Sequence, residues 1–288
     1  MIIGQITDLH LGFAGDKASE PNQLRLDAVL ERLIAFRPHL DLLLVTGDLT
    51  ERGDQASMTR LRDRLERLPF PWAVLPGNHD LRSSLLEVFP ETPSFDGYVQ
   101  SALETFALRI LLLDTVEEGR HAGAFDGGRA AWLERVLAAA PGQPTLLVMH
   151  HPPVPIGIDW MSASQAEPWT HDLTAVVAKA PQVVGAIAGH VHRPIVTPWA
   201  GTLLRVCPAV APQLALNLSP INPARPDGRA LLVSEPPGFA VHHWTPAGGL
   251  TTHFATVGPA ETLLRYNEGF QPVIQRFLKE REQLPSAG

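Results

Sequence analysis

Five short stretches of this chain hold side chains that bind metals or move protons: "DLH" at Asp8 to His10, "GD" at Gly47-Asp48, "GNHD" at Gly77 to Asp80, "HH" at His150-His151 and "GHVH" at Gly189 to His192. Taken singly, each has a plain structural use, since an Asp after a strand commonly caps a helix and a lone His is more often a satisfied surface or core residue than a ligand. As a set, Asp8, His10, Asp48, Asn78, His150, His190 and His192 offer carboxylate, amide and imidazole donors without a thiolate, which suits Mn, Fe, Zn or Co. Gly47, Gly77 and Gly189 are interleaved with them and let the backbone turn sharply. Asn78 stands out, because a neutral amide is a weak ligand where metal affinity alone would favour a carboxylate.

All of these groups fall where an apolar run stops. Asp8 and His10 follow "MIIGQIT", Asp48 closes "LDLLLVTG", Asn78 and His79 follow "PWAVLPG", His150 ends "TLLVMH", and His190 and His192 follow "VVGAIAG". Between the runs lie stretches of helical periodicity: "NQLRLDAVLERLIAF", "QASMTRLRDRLERL", "GGRAAWLERVLAAA" and "HDLTAVVAKA". Strands alternating with helices predict crossover units and an at least partly parallel sheet, and in such sheets sites form outside the carboxyl ends of the strands. Leu24, Leu26, Val29, Leu30, Leu33 and Ile34 are expected to form the packing stripe of the first helix, with Arg25, Asp27, Glu31 and Arg32 facing water. "YVQSALETF" and "LRILLLDTV" read as adjacent strands, and "GFAVHHW" and "LTTHFATV" as a hairpin turning at "TPAGG". A helix around "PVIQRFLKER" closes the chain. The expected organisation is a catalytic core over residues 1–200, with residues 201–288 completing the same domain or forming a cap or dimerisation element. A homo-oligomer and a monomer both fit.

The 288 residues are 45% hydrophobic and 18% charged, the balance of a globular chain with one sizeable core. A formal charge of -7 and the lack of Lys/Arg runs argue against a nucleic acid polymer or an anionic membrane as partner. Cys207, the single cysteine, cannot form an intramolecular disulfide and suggests a reducing compartment. No basic n-region precedes "MIIGQI", and no run approaches the roughly 20 apolar residues of a membrane span, so a cytoplasmic protein is expected.

Read in order, the five stretches resemble the motifs of the calcineurin-like metallophosphoesterases, across about two thirds of the chain. "ITDLHLG", "TGDLTERGD", "LPGNHD" and "GHVHRP" together are most similar to the class III cyclic-nucleotide phosphodiesterases and to bacterial glycerophosphodiesterases. The resemblance implies an α/β fold, a four-layer α/β/β/α sandwich with mixed sheets, and a centre of two divalent transition-metal ions. By that likeness Asp8, His10 and His192 hold the first metal, Asn78, His150 and His190 the second, and Asp48 bridges both.

Two such metals lower the pKa of a bridging water and clamp a phosphodiester for in-line attack. Asp8, Asp48 and a bridging hydroxide cancel three of the four positive charges of two divalent ions. An Asp at position 78 would cancel the last, so Asn78 supplies an oxygen ligand that spares it and leaves an amide atom to fix a neighbour or touch substrate.

His79 follows a ligand and is expected to lean toward substrate, where the family likeness also places it, hydrogen-bonding the phosphate and protonating or supporting the departing alkoxide. The alternative is a structural His supporting the ligands. Glu51 occupies the place where similar phosphatases carry an Asp that orients this His, and Asp80 is a competing partner. Arg52 either touches phosphate or is solvated. His151 either shapes its loop or lines the pocket. Phe13, Trp160, Met161 and Trp169 either wall a substrate group or pack their loops. His39, His121, His171, His242, His243 and His253 receive no role.

The expected substrate is a small phosphodiester, first 3′,5′-cyclic nucleotides such as cAMP, with glycerophosphodiesters or broad activity as the alternative. A catalytically silent scaffold of the same fold would be expected to have lost ligands or His79, and this chain keeps both.

Overall fold

Apolar side chains alternate faces along the central strands, and that alternation stacks two sheets. In the computed structural model, residues 1–15, 20–104, 107–164 and 166–282 are described. The first sheet begins with β1 (Ile2–Ile6), α1 (Pro21–Ile34), β2 (Leu42–Thr46), α2 (Gln55–Leu65), β3 (Trp72–Leu75) and α3 (Arg82–Val88). The second begins with β4 (Ser101–Leu103), β5 (Arg109–Leu113), α4 (Gly127–Ala139), β6 (Thr145–Met149), α5 (Pro168–Ala178) and β7 (Val183–Ala188). There follow β8 (Ile195–Trp199), β9 (Thr202–Val206), β10 (Gln213–Leu214), β11 (Leu232–Val233), β12 (Gly238–Thr245) and β13 (Gly249–Thr256).

Sheet order is β13-β12-β1-β2-β3 in one layer and β4-β5-β6-β7-β9-β8 in the other, with β10 and β11 a separate ribbon. β1, β2 and β3 run parallel, as do β5, β6, β7 and β9, while β4, β8, β12 and β13 pair antiparallel. Both sheets are therefore mixed, and residues beyond 200 supply strands to each.

Ile110 and Leu112 of β5, with Leu146 and Val148 of β6, belong to the same buried cluster as β1, β2, α1 and α2. Leu111, Leu113, Leu147 and Met149 point the other way and pack on Trp132, Leu133 and Leu137 of α4 and Leu173 and Val177 of α5. A strand buried on both faces reads as a continuous apolar run. Helix, sheet, sheet and helix stack as four layers, the α/β/β/α arrangement expected. Each fully buried Leu or Ile contributes about 1.5–3 kcal/mol, and a register slip of one residue would exchange the two clusters.

Helix starts follow local chemistry. Pro21 and Pro168 sit at the first turns of α1 and α5, where a missing N–H costs nothing. Asp54 accepts from Ser57 N at 2.8 Å to cap α2, and Asp126 accepts from Gly128 N and Arg129 N to cap α4. The stripe of α1 is narrower than its pattern suggests: Leu24 and Ile34 at its ends are exposed. Arg25 does not simply face water but donates to Val210 O at 2.6 Å and Ala211 O at 3.0 Å, fastening α1 to the segment after β9. α3, seven residues long, is too short to show a period in the sequence.

The chain divides into two units, Met1–Val257 and Gly258–Gly288. In the second, α6 (Gln271–Glu282) follows a turn in which Asn267 Oδ1 accepts from Phe270 N at 3.2 Å. Residues 16–19, within the stretch after His10, and residue 165, in the long segment after His151, lie outside the described residues.

Candidate metal centre

The ends of β1, β2, β3, β6 and β7 meet at one edge of the stacked sheets, and the backbone there is held in an unfavourable conformation. Asp8, His10, Asp48, His190 and His192 have φ of 52°, 47°, 48°, 72° and 52°, the left-handed region that side chains avoid. Such strain persists only where surrounding structure over-determines it. Leu9 N and His10 N both donate to Asp48 O at 2.8 and 2.9 Å, Asp8 N donates to Gly47 O at 3.0 Å, and His190 N donates to Asp8 Oδ2 at 3.0 Å. The strand ends are thus sewn to one another through the groups that form the site. Gly77 must be Gly for a different reason: a Cβ there would collide with the backbone N and Oδ1 of Asp48.

Asp48 occupies the middle. Its Oδ2 lies 3.5 Å from both His10 Nε2 and His150 Nε2, and its Oδ1 accepts from His79 N at 2.9 Å. On one side His10 Nε2 and His192 Nε2 stand 3.1 Å apart, with Asp8 Oδ1 3.4 Å from the latter. On the other side Asn78 Oδ1 is 3.3 Å from His150 Nε2 and 3.2 Å from His151 Nε2, and the His190 ring packs against those of both histidines. All seven residues singled out as ligands are therefore brought together, in two groups that share Asp48.

The donor set fits cations on its own geometry. His10 Nδ1 donates to Glu51 Oε2 at 2.8 Å, His192 Nδ1 to Pro212 O at 2.8 Å and His150 Nδ1 to Thr46 O at 2.9 Å. With a proton fixed on Nδ1, each ring turns its Nε2 inward, where it offers a lone pair once the ring is neutral. Lone pairs 3.1 Å apart on His10 and His192, and others aimed at the Asp48 carboxylate, repel unless positive charge lies between them. His190 Nδ1 is buried with no hydrogen-bond partner.

The titration divides the rings: burial opposes charge on His10, yet its hydrogen bond to Glu51 and the Asp48 and Asp8 carboxylates raise its pKa. Burial would discharge His150, yet the Asp48 and Asp8 carboxylates overcome it and raise its pKa to about 9. Burial and the neighbouring rings hold His190 and His151 well below the usual value, and burial lowers His192. Metals bind neutral imidazoles, so His190, His151 and His192 are ready to ligate, whereas His150 and His10 would release protons on loading. Burial would also raise the pKa of Asp48, but His150 and His10 hold it well below the usual carboxylate range.

His79 does not join either group. Its Nδ1 donates to the Glu51 backbone O at 3.0 Å, which leaves Nε2 free, and its side chain is one third exposed. Neither carboxylate weighed as its partner serves it through a close hydrogen bond. Glu51 Oε2 is 3.9 Å from His79 Nδ1 and is committed to His10 instead. Asp80 is buried and accepts from Leu49 N, Thr50 N, Thr50 Oγ1 and Gly77 N at 2.9–3.0 Å, tying the loop after β2 to that after β3. Arg52 is exposed.

His121, given no role from sequence, belongs to this neighbourhood. Its Nδ1 is 3.3 Å from Asn78 Nδ2, its Nε2 is 3.3 Å from Met161 Sδ, and its ring lies 4.7 Å from that of His190. It arrives on the loop after β5, a strand that ends at Leu113 just before Asp114. His151, for which two roles stood open, is buried, with Nδ1 2.9 Å from Thr115 Oγ1, and offers its Nε2 beside His150.

Comparison with known proteins points the same way. The sequence profile of the calcineurin-like phosphoesterases matches residues 1–194. A protein of Arcobacter nitrofigilis described as a probable glycerophosphodiester phosphodiesterase is 33% identical over 267 residues, 91% of this chain and 95% of that one. The 3′,5′-cyclic adenosine monophosphate phosphodiesterase of Escherichia coli is 33% identical over 227 residues, 75% of this chain and 78% of that one. Among solved structures, a dimetal phosphatase from Danio rerio covers 90% of this chain and 99% of its own with a TM-score of 0.58 at 16% identity. A purple acid phosphatase from yellow lupin covers 89% and 51% with a TM-score of 0.63 at 15% identity. The two solved structures share the fold.

Proposed function

This chain belongs to the calcineurin-like phosphoesterase family, and from that premise we propose that it is a metal-dependent hydrolase of small phosphodiesters, acting first on 3′,5′-cyclic nucleotides such as cAMP. The observation that carries the reading is Asp48 Oδ2 lying 3.5 Å from the Nε2 of both His10 and His150, a carboxylate shared by two sets of inward-facing donors. In this reading Asp8, His10 and His192 would hold one divalent ion, Asn78, His150 and His190 would hold the other, and Asp48 would serve both. The two ions would supply Lewis-acid charge to the phosphoryl oxygens and lower the pKa of a water for attack.

The chain's own residues do the rest. Glu51, Pro212 and Thr46 hold the three liganding rings in the tautomer that points Nε2 inward. Asn78 adds an oxygen without adding negative charge, so a monoanionic diester meets a net positive centre. His79, with Nδ1–H fixed on the Glu51 carbonyl, presents Nε2 to the substrate. As imidazolium it hydrogen-bonds a phosphoryl oxygen and gives its proton to the departing alkoxide. Water adds to phosphorus, the P–O ester bond breaks, and a monoester and an alcohol result; in a cyclic diester both remain on one molecule.

Glycerophosphodiester hydrolysis is the second reading, favoured by the 33% identity to the Arcobacter nitrofigilis relative. Catalytic efficiencies on cAMP and glycerophosphoethanolamine separate the two. Higher efficiency on cAMP is expected, and negligible turnover of both by metal-loaded protein would sink the diesterase reading.

A further inference from the structure

Beside the metal centre lies a cavity of about 280 Å³ lined by both polar and apolar side chains. Its polar wall is formed by His10, Glu51, His79, His121 and His192, and its apolar wall includes Phe13, Trp160, Met161, Leu214, Leu231 and Leu232. Among the described residues no Lys or Arg lines it, and Asn22, the one lining amide among them, donates to His10 O at 3.0 Å. Apolar side chains at a protein surface are ordinary when scattered. Here Phe13, Trp160, Leu231 and Leu232 are 62%, 40%, 46% and 53% exposed and converge on one space that opens onto the phosphate site.

The wall is built rather than loose. Trp160 sits in the short 3-10 turn Asp159–Met161, closed by Ser162 Oγ donating to Ile158 O at 2.9 Å. Asp159 Oδ2 accepts from Ile221 N at 3.2 Å, which joins this turn to the segment between β10 and β11. Leu232 is presented by the β10–β11 ladder, where it pairs with Leu214. Arg193 Nη1 fastens that ladder through Leu214 O at 3.0 Å, and Pro212 O holds the ligand His192. The apolar wall and the first metal group are therefore fixed to the same backbone.

Resting on the diesterase reading, we infer that this cavity receives the planar aromatic part of the substrate, a nucleobase, and that Trp160 and Phe13 set a preference for aromatic over glycerol-type diesters. A base offers a π-face to stack on an aromatic ring whatever its edge pattern. Glycerol hydroxyls and an ammonium would exchange water for leucine and gain no hydrogen-bond partner at the apolar wall. A quaternary ammonium over Trp160 would lack a counter-charge, because Glu51, the carboxylate among the described lining residues, is spent on His10.

The test uses protein loaded with manganese and two product probes, AMP and ribose 5-phosphate, titrated by calorimetry. AMP is expected to bind roughly ten-fold tighter than ribose 5-phosphate, and Trp160→Ala to erase most of that difference while Trp160→Phe keeps it. In turnover, Trp160→Ala and Phe13→Ala should each lower kcat/KM for cAMP through KM by roughly ten-fold more than for glycerophosphoethanolamine. Equal affinity of AMP and ribose 5-phosphate, equal losses on both substrates, or a larger loss on glycerophosphocholine than on cAMP would overturn the inference. Absence of turnover by every form, with the AMP preference intact, would instead count against the diesterase reading and leave the base site standing.

Discussion

Asn78 and His79 are neighbours in sequence with separate duties. Asn78 Oδ1 faces His150 and His151, while His79 stands beside His10 and Glu51 with its Nδ1 on the Glu51 carbonyl. Replacing Asn78 by Asp should keep metal and lower kcat, because the added charge opposes an anionic substrate; Asn78→Ala should weaken the second metal, seen as fewer bound ions in elemental analysis. His79→Ala should bind metal normally and lose roughly 10²–10⁴-fold in kcat, measured on cAMP. Full diesterase activity in that variant would remove His79 from the reaction. The ligand types were legible in the sequence because seven donors recur at strand ends in order. His121 was not, because its place depends on how far the loop after β5 travels. The role of Glu51 stood open in the sequence, and its carboxylate lies on His10 at 2.8 Å, with His79 Nδ1 at 3.9 Å.

Among elements, the loops after β2 and β3 depend on Asp80. Its carboxylate accepts three backbone N–H groups and the Thr50 hydroxyl in a buried place, and the same burial raises its pKa to about 6. Asp80→Ala strands those donors and should cost on the order of 3 kcal/mol, read from the urea midpoint. Asp80→Asn, which still accepts, should cost less. Two equal losses would mean the donors find other partners. The strands and most helices were legible from period alone, because runs such as Leu42–Thr46 and Thr145–Met149 are buried on both faces. The ends of α1 were not: Arg25 looks like a solvent residue until Val210 and Ala211 fold back over it.

Across the whole molecule, a buried polar chain joins the two sheets behind the site. Gln5 Nε2 donates to Thr46 Oγ1 at 2.9 Å and Ala188 O at 3.0 Å, and Gln5 Oε1 accepts from His242 Nε2 at 3.0 Å. Thr252 Oγ1 donates to His242 Nδ1 at 2.8 Å. Burial, with Arg205 nearby, lowers the His242 pKa from 6.5 to about 3. The unfolded chain therefore binds a proton that the folded chain refuses. Stability from this group is complete above pH 6.5 and falls by about 1.4 kcal/mol per pH unit toward pH 3. A His242→Gln variant should lose stability less steeply over that window in denaturant titrations; parallel curves would exclude His242 as the source. The pairing of β1 with β12, Ile3 opposite His242, had no local mark, since a hairpin announces its own turn but not the distant strand it joins.

One chain should hold two ions across Asp48 and need both to cleave a diester. Metal-stripped protein should be titrated with manganese by calorimetry, with cAMP and glycerophosphoethanolamine turnover followed on the same samples. Two ions per chain are expected, with turnover appearing as the second binds. Saturation at one ion with full activity, or diester cleavage by the stripped protein, would contradict the account.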